Sequence, residues 1–297
     1  MDDKLSPIAA TSAATRLAFS SHSRAWAENR YVYPVVSRRS GGLSIGINLN
    51  PDKICNFDCI YCSVDRRVPG KAGRVVTAVV RTELRQMLAL AASGEIFRLP
   101  DFASINPSLM RLNDIAFSGD GEPTTCPAFG RCCHIAAQEL QRAGLSAAKL
   151  VLITNATMFG RRPVRKALEY LDQHGGEVWA KLDAGTAAYY QLVNRPGVGF
   201  ARILANIAWC AQVRPTVIQT LLMRIHGQPP PEEEIHAYAR RLADIIAAGG
   251  RIKLVQLYTV ARTTTESYVT PLSPEEITAI SQMVKSLLPG VPLECFW

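Results

Sequence analysis

From residue 43 to about residue 260 the chain alternates between two periods of hydrophobicity, and this alternation constrains its fold more than any other feature. A repeat of two puts side chains on alternating faces of a strand, while a repeat near 3.6 gathers them on one stripe of a helix. In the first strand-like run, 43–49, Leu43, Ile45, Ile47 and Leu49 alternate with Ser44, Gly46 and Asn48. Further strands are expected at 114–118, 149–155, 178–183, 216–223 and 253–260. Helices are expected at 77–93, 128–143, 163–174, 201–213, 231–248 and 274–287. The punctuation agrees: Gly144, Gly175 and Gly249 stop helices, and Pro163, Pro231 and Pro274 suit first turns. Six β/α units imply a parallel sheet with outer helices. Spacing alone leaves a doubly wound sheet and an incomplete barrel both open. Polar residues near strand ends (Asn48, Ser118, Thr154 or Asn155, Lys181, Asp183, Gln219, Gln256, Tyr258) favour the barrel, whose C-terminal rim carries chemistry.

Residues 1–42 read as an N-terminal extension and 43–297 as the core. Within the extension, 1–30 is an Ala- and Ser-rich arm expected to be partly ordered. Residues 31–36 form an extended segment that Pro34 consigns to a sheet edge. Residues 94–112 look irregular, and 293–296 would add a strand or pack across an opening. With 48% hydrophobic and 20% charged residues, the composition is that of a globular protein rather than a disordered one. No run of about 18 apolar residues exists, so no membrane span or membrane partner is expected. An acidic N-terminus without an apolar core is a poor signal peptide, and the expected location is the cytoplasm. The net charge of +8 permits an anionic partner. Basic residues gather at Arg38-Arg39, at Arg66-Arg67 with Lys71 and Arg74, and at Arg161-Arg162 with Arg165-Lys166.

Between the first strand and the first helix lie Cys55, Cys59 and Cys62, a C-x3-C-x2-C triplet. Structural zinc sites close a tetrahedron with separated ligand pairs, and simple electron-carrier clusters take four cysteines. Three thiols on one short loop point to a 4Fe–4S cluster with one iron open to another ligand. A zinc site and three structural thiols are the competing readings. Cys126, Cys132, Cys133, Cys210 and Cys295 read as structural. Cys132 and Cys133 are adjacent in a helix and point about 100° apart, which makes joint ligation of a second cluster awkward.

The triplet, with Tyr61 before its third cysteine, resembles the signature of the radical SAM superfamily. Ser118-Gly119-Asp120-Gly121-Glu122-Pro123-Thr124, after the second strand, resembles that family's glycine-glycine-glutamate motif. Gly46 to Pro51, Ile153 to Thr157 and Lys181 to Gly185 resemble the branch that contains 4-demethylwyosine synthase, which builds a tricyclic base on transfer RNA. That branch carries further cluster cysteines upstream of the triplet; this chain has no cysteine before Cys55.

The resemblance implies a partial (β/α)6 barrel of α/β class. It also implies a 4Fe–4S cluster on Cys55, Cys59 and Cys62, with S-adenosylmethionine (SAM) chelating the open iron. The SAM amino group would lie along Gly119, Asp120, Gly121 and Glu122, and its adenine near Tyr61. Asn155, Lys181, Asp183 and Gln219 are candidates for ribose and carboxylate contacts. Lys181 is also the catalytic candidate, able to pair a carboxylate, to pair Asp183, or to form an imine with a carbonyl substrate. Arg195 and Arg224 are alternative carboxylate partners. The implied electron donor is a reduced flavodoxin or ferredoxin, and the implied substrate a transfer RNA base or another anion. A small-molecule or peptide substrate is the alternative within the same chemistry. A non-catalytic iron–sulfur protein is the alternative outside it.

Overall fold

A computed structural model describes residues 26–71 and 73–297. The arm expected at 1–30 lies outside these except for its last five residues. Among the described residues eight strands join one sheet, and the fold is α/β, a partial barrel of the TIM type. The chain divides into two compact units. The first comprises 26–54 with Pro69–Leu152 and Arg162–Glu177; the second is Cys55–Val68 with Ile153–Arg161 and Val178–Trp297.

In the first unit, β1 (Val32–Ser37) pairs antiparallel with β2 (Gly42–Ile47). Parallel pairing continues to β3 (Leu112–Phe117) and to β4 (Lys149–Thr154). Pro34 lacks an N–H to give and sits on this outermost strand, opposite Ile45. Every residue of β2 is buried. Leu43, Ile45 and Ile47 fill one face with branched side chains, while Gly46 on the other admits the ring of Tyr33, whose Cζ would lie 2.2 Å from a Cβ there. Helix α1 (Thr77–Ser93) buries Val80, Leu84, Met87 and Leu88 and stops at Gly94 in the left-handed region, φ 73°. It packs on α2 (Phe129–Arg142), which packs on α3 (Arg162–Asp172). Buried Glu83 of α1 accepts from the backbone N–H groups of Arg30, Tyr31 and Val32 at 2.8, 2.8 and 3.0 Å, fastening the chain that enters β1.

In the second unit, β5 (Gly176–Lys181), β6 (Thr216–Leu222), β8 (Ile252–Thr259) and β10 (Leu293–Phe296) pair in that order, all parallel. The terminal run expected to add a strand or cover an opening is therefore a strand. Helices α4 (Ala187–Asn194), α5 (Phe200–Val213), α6 (Glu232–Ala247) and α7 (Pro274–Leu287) accompany them. Helix α7 starts on a capping box: Ser273 Oγ accepts from Glu276 N, and the Glu276 side chain accepts from Ser273 N. Ile203, Ile207, Val217, Ile218, Val255, Leu257 and Ile277 form its core.

Boundaries expected from periodicity differ by at most two residues from those found. Helix α4 has eight residues, too few for a period to declare itself. The two-residue strands β7 (Arg224–Ile225) and β9 (Val269–Thr270), paired antiparallel, are shorter still. The stretch expected to be irregular, 94–112, holds 3-10 turns at Glu95–Arg98 and Pro107–Leu109. Among the described residues no helix is long and apolar enough to cross a membrane.

Candidate metal and cofactor site

The cysteine loop belongs to the second unit, whose other elements hold it through both backbone and side chains. Asp58 N and Ile60 N donate to the carbonyls of Asn194 and Val193, at 3.1 and 2.9 Å, so the last turn of α4 carries the middle of the loop. Cys62 N donates to Cys59 O at 3.0 Å, closing a turn between two of the thiols, and Thr265 N donates to Cys62 O at 2.9 Å. Asn56 reaches the segment after β4: its Nδ2 donates to Thr157 Oγ1 at 2.6 Å, and its Oδ1 accepts from Asn155 Nδ2 at 2.8 Å. That segment contains Ala156 in the left-handed region, φ 61°, secured by Asn206 Nδ2 donating to its carbonyl at 2.7 Å. Arg195, which ends α4 at φ 42°, bridges Glu266 at 2.6 Å and Asp58 at 3.5 Å.

Hydrogen bonds reach the thiols of the loop. Asn194 Nδ2 donates to Cys59 Sγ at 3.4 Å, and Arg66 Nη1 donates to Cys62 Sγ at 3.1 Å. Burial works against the Arg66 charge, but the Cys62 and Cys55 sulfurs outweigh it and raise the guanidinium pKa. Burial pushes the Cys59 thiol up to about 11, with Lys181 opposing it, Asp183 adding to it, and Asn194 and Tyr61 opposing it. Among the described residues no three His, Cys, Asp or Glu side chains form a ready-made cation site. The donor set itself suits an iron–sulfur cluster: three thiols lie within eight residues, with N–H donors such as those of Asn194 and Arg66 aimed at sulfur.

Three of the expected residues come together beside this loop. Lys181 Nζ donates to Tyr61 OH at 2.9 Å, and Tyr61 OH donates to Asp183 Oδ2 at 2.5 Å. Asp183 also accepts from Asn194 Nδ2 at 3.0 Å and from Leu221 N at 2.9 Å. Burial alone would lower the Lys181 pKa. Tyr258, Asp183, Cys59 and Cys62 more than reverse this, and the ammonium is held well above the usual lysine value. Gln219 pairs in register with Lys181 across the β5–β6 ladder, and its amide donates to Gln256 Oε1 at 2.8 Å. Asn155 lies with Asn56 rather than in the Lys181 group.

The glycine-rich motif lies in the first unit. Asn48 Oδ1 accepts from Asp120 N at 3.1 Å, and its Nδ2 donates to Asp120 Oδ2 at 2.6 Å. A Cβ at Gly119 would lie 2.3 Å from Asn48 Oδ1, and one at Gly121 2.1 Å from Ile54 O. The two glycines thus allow the loop to close on the end of β2. Buried Glu122 caps its own turn, accepting from Thr124 N at 3.1 Å and from Thr124 Oγ1.

Sequence reasoning gave Asn56 and Asn194 no role and noted Arg66 only as part of a basic group. Arg195 and Arg224, the alternative carboxylate partners, are engaged with Glu266 and Glu276, each at 2.6 Å. The one local signal for Asn194 was Asn-Arg-Pro-Gly at 194–197, a helix stop after an apolar run.

No protein-family model matches the chain. It is 24% identical over 258 residues to the GTPase Obg of Brachyspira hyodysenteriae, covering 82% of this chain and 32% of that protein. It is 28% identical over 168 residues to a UPF0026 protein of Methanocaldococcus jannaschii, covering 55% of this chain and 43% of that one. The chain therefore spans about a third of the first relative and less than half of the second. Among solved structures it superposes on Streptococcus suis SuiB bound to S-adenosylmethionine with a TM-score of 0.57 at 11% identity, covering 88% of this chain and 52% of that one. It superposes on TYW1 with a lysine–pyruvate adduct bound at 0.50 and 16% identity, covering 82% and 73%. The fold is that of radical SAM enzymes. It agrees with the partial barrel that the cysteine triplet and the glycine-rich motif led us to expect.

Proposed function

We propose that this chain is a radical SAM enzyme that modifies a base of RNA, with transfer RNA the favoured class. The observation that carries the reading is the cysteine loop: three thiols on one loop, fastened by α4 and supplied with N–H donors, in a fold of this kind. Cys55, Cys59 and Cys62 would hold a 4Fe–4S cluster as thiolates, and SAM would be the further ligand. Bound together, these cofactors supply reductive cleavage of SAM to methionine and a 5′-deoxyadenosyl radical that takes hydrogen from a substrate C–H bond. The protein positions and shields. Gly119, Asp120, Gly121 and Glu122 are assigned to the SAM amino group, Tyr61 to its adenine, and Asn155, Asp183 and Gln219 to the ribose side. Reduced flavodoxin or ferredoxin would supply the electron.

Lys181 is assigned the catalytic role. As a half-buried ammonium it would pair a carboxylate. The lysine–pyruvate adduct in TYW1 favours a second step for it, attack of Nζ on a ketone carbonyl with loss of water. That attack needs the proton gone first, and Tyr61 OH, bonded to both Nζ and Asp183, offers the route. The product is assigned no further than an RNA base.

Anaerobic reconstitution with iron, sulfide, dithionite and SAM should yield 5′-deoxyadenosine, and Cys59→Ala should lose both cluster and cleavage. No 5′-deoxyadenosine from the wild type would end the enzyme reading. Lys181→Arg keeps the cation but cannot form the imine, so full turnover by this variant would leave only the carboxylate role. Comparing nucleosides of transfer RNA from cells with and without the gene tests the substrate, and identical profiles would count against RNA.

A further inference from the structure

Asn194, 1% exposed, ends helix α4 and meets the cysteine loop at three atoms. Its carbonyl accepts from Asp58 N. Its Nδ2 lies 3.0 Å from Asp183 Oδ2, 3.4 Å from Cys59 Sγ and 3.5 Å from Tyr61 OH. An ionised carboxylate can only accept hydrogen bonds, so Asp183 admits the NH2 end of this amide and turns its oxygen away. With one N–H held by Asp183, the other is shared between the Cys59 sulfur and Tyr61 OH. Asp183 is itself fixed from two sides, by Leu221 N and by Tyr61 OH.

We propose that Asn194 is a positioning residue for the cluster ligand Cys59, and that Asp183 acts on that sulfur through Asn194 by dictating which end of the amide faces it. The proposal rests on the assignment of a cluster to Cys55, Cys59 and Cys62. An N–H donor draws charge from a ligand sulfur and so favours the reduced cluster, raising its potential. The group that holds Lys181 and Tyr61 is thereby coupled to the electron affinity of the metal site.

The test is an electron-paramagnetic-resonance redox titration of the reconstituted protein. Asn194→Leu keeps the bulk and removes the donor; with an unchanged iron content, its midpoint potential should move to more negative values. Asp183→Asn should shift it as well, and the double variant should depart from the sum of the two shifts, as expected of residues acting through one contact. Exposed Gln212→Ala, far along α5, should leave the potential at the wild-type value. A wild-type potential in Asn194→Leu with full iron would overturn the proposal, as would strict additivity of the two shifts. Hydrogen exchange in the metal-free chain gives a second readout. Asn194→Ala should speed exchange at the Asp58 and Ile60 amides by about fivefold, the factor for one lost hydrogen bond, and unchanged exchange would also overturn it. If the wild type takes up no cluster, the function proposed above fails, and the exchange measurement still decides whether Asn194 orders the loop.

Discussion

Glu139 is a carboxylate whose side chain is 1% exposed and whose oxygens meet Arg81 at 2.5 Å, Arg85 at 2.9 Å and Arg142 at 3.1 Å. The hydrogen bond from Arg85 is the largest cause holding its pKa below the ordinary value of 4.5, burial opposes it, and Arg81 and Arg142 add to the lowering. A depressed folded-state pKa contributes stability that is present above pH 4.5 and lost as pH falls through the folded value. Glu139→Gln should therefore lower stability at neutral pH and flatten its decline on the acid side, read by urea unfolding at a series of pH values. Gly185 makes a different demand. A Cβ there would lie 2.0 Å from Tyr238 N, a backbone atom that cannot swing aside. Gly185→Ala should cost about 3 kcal/mol, the upper end for overpacking, in the same assay. The sequence displayed Gly185 as one residue of a motif; the reason for it, the backbone of α6, lies more than fifty residues away.

Helix α4 shows what a short element can do. It is held at its start by Glu234 of α6, which accepts from Thr186 N at 3.2 Å, Thr186 Oγ1 at 2.7 Å and Gly185 N. It is held at its end by the cysteine loop, through the carbonyls of Val193 and Asn194. Removing the carboxylate strands three donors, so Glu234→Ala should cost about 3 kcal/mol, as for a lost charge-assisted hydrogen bond. It should also speed amide exchange at Asp58 and Ile60. Global destabilisation without that local effect would mean that α4 does not transmit order to the loop. Apart from its stop at 194–197, the local sequence does not announce this helix. Ala-Ala-Tyr-Tyr-Gln-Leu-Val-Asn has no polar stripe, and its length leaves most of its stability to tertiary contacts. The longer helices were legible because each spans three turns or more and presents a repeated apolar face, as α1 does with Val80, Leu84, Met87 and Leu88.

For the whole molecule, a cluster that binds only the folded chain must stabilise it by mass action. The thermal midpoint should rise on anaerobic reconstitution of the wild type. It should not move when Cys55, Cys59 and Cys62 are all replaced by Ala. The net charge of +8 makes a second prediction: transfer RNA affinity should fall steeply with salt, as phosphate contacts release counterions. An affinity that salt does not touch would argue for a substrate other than a polyanion.

The sequence by itself determined the alternation of strands and helices, the position of the three thiols and the glycine-rich turn. These are local facts: a period is visible wherever an element is long enough to repeat it, and a ligand spacing is visible when its members share one loop. Only the tertiary structure decided which side chains serve the thiols. Asn56 pairs with Asn155, Cys59 and Asp183 share Asn194, and Tyr61 joins Lys181 to Asp183, contacts that span 99, 135, 11, 120 and 122 residues. A polar side chain carries no mark of its partner until folding brings them together and burial makes each unmet donor costly.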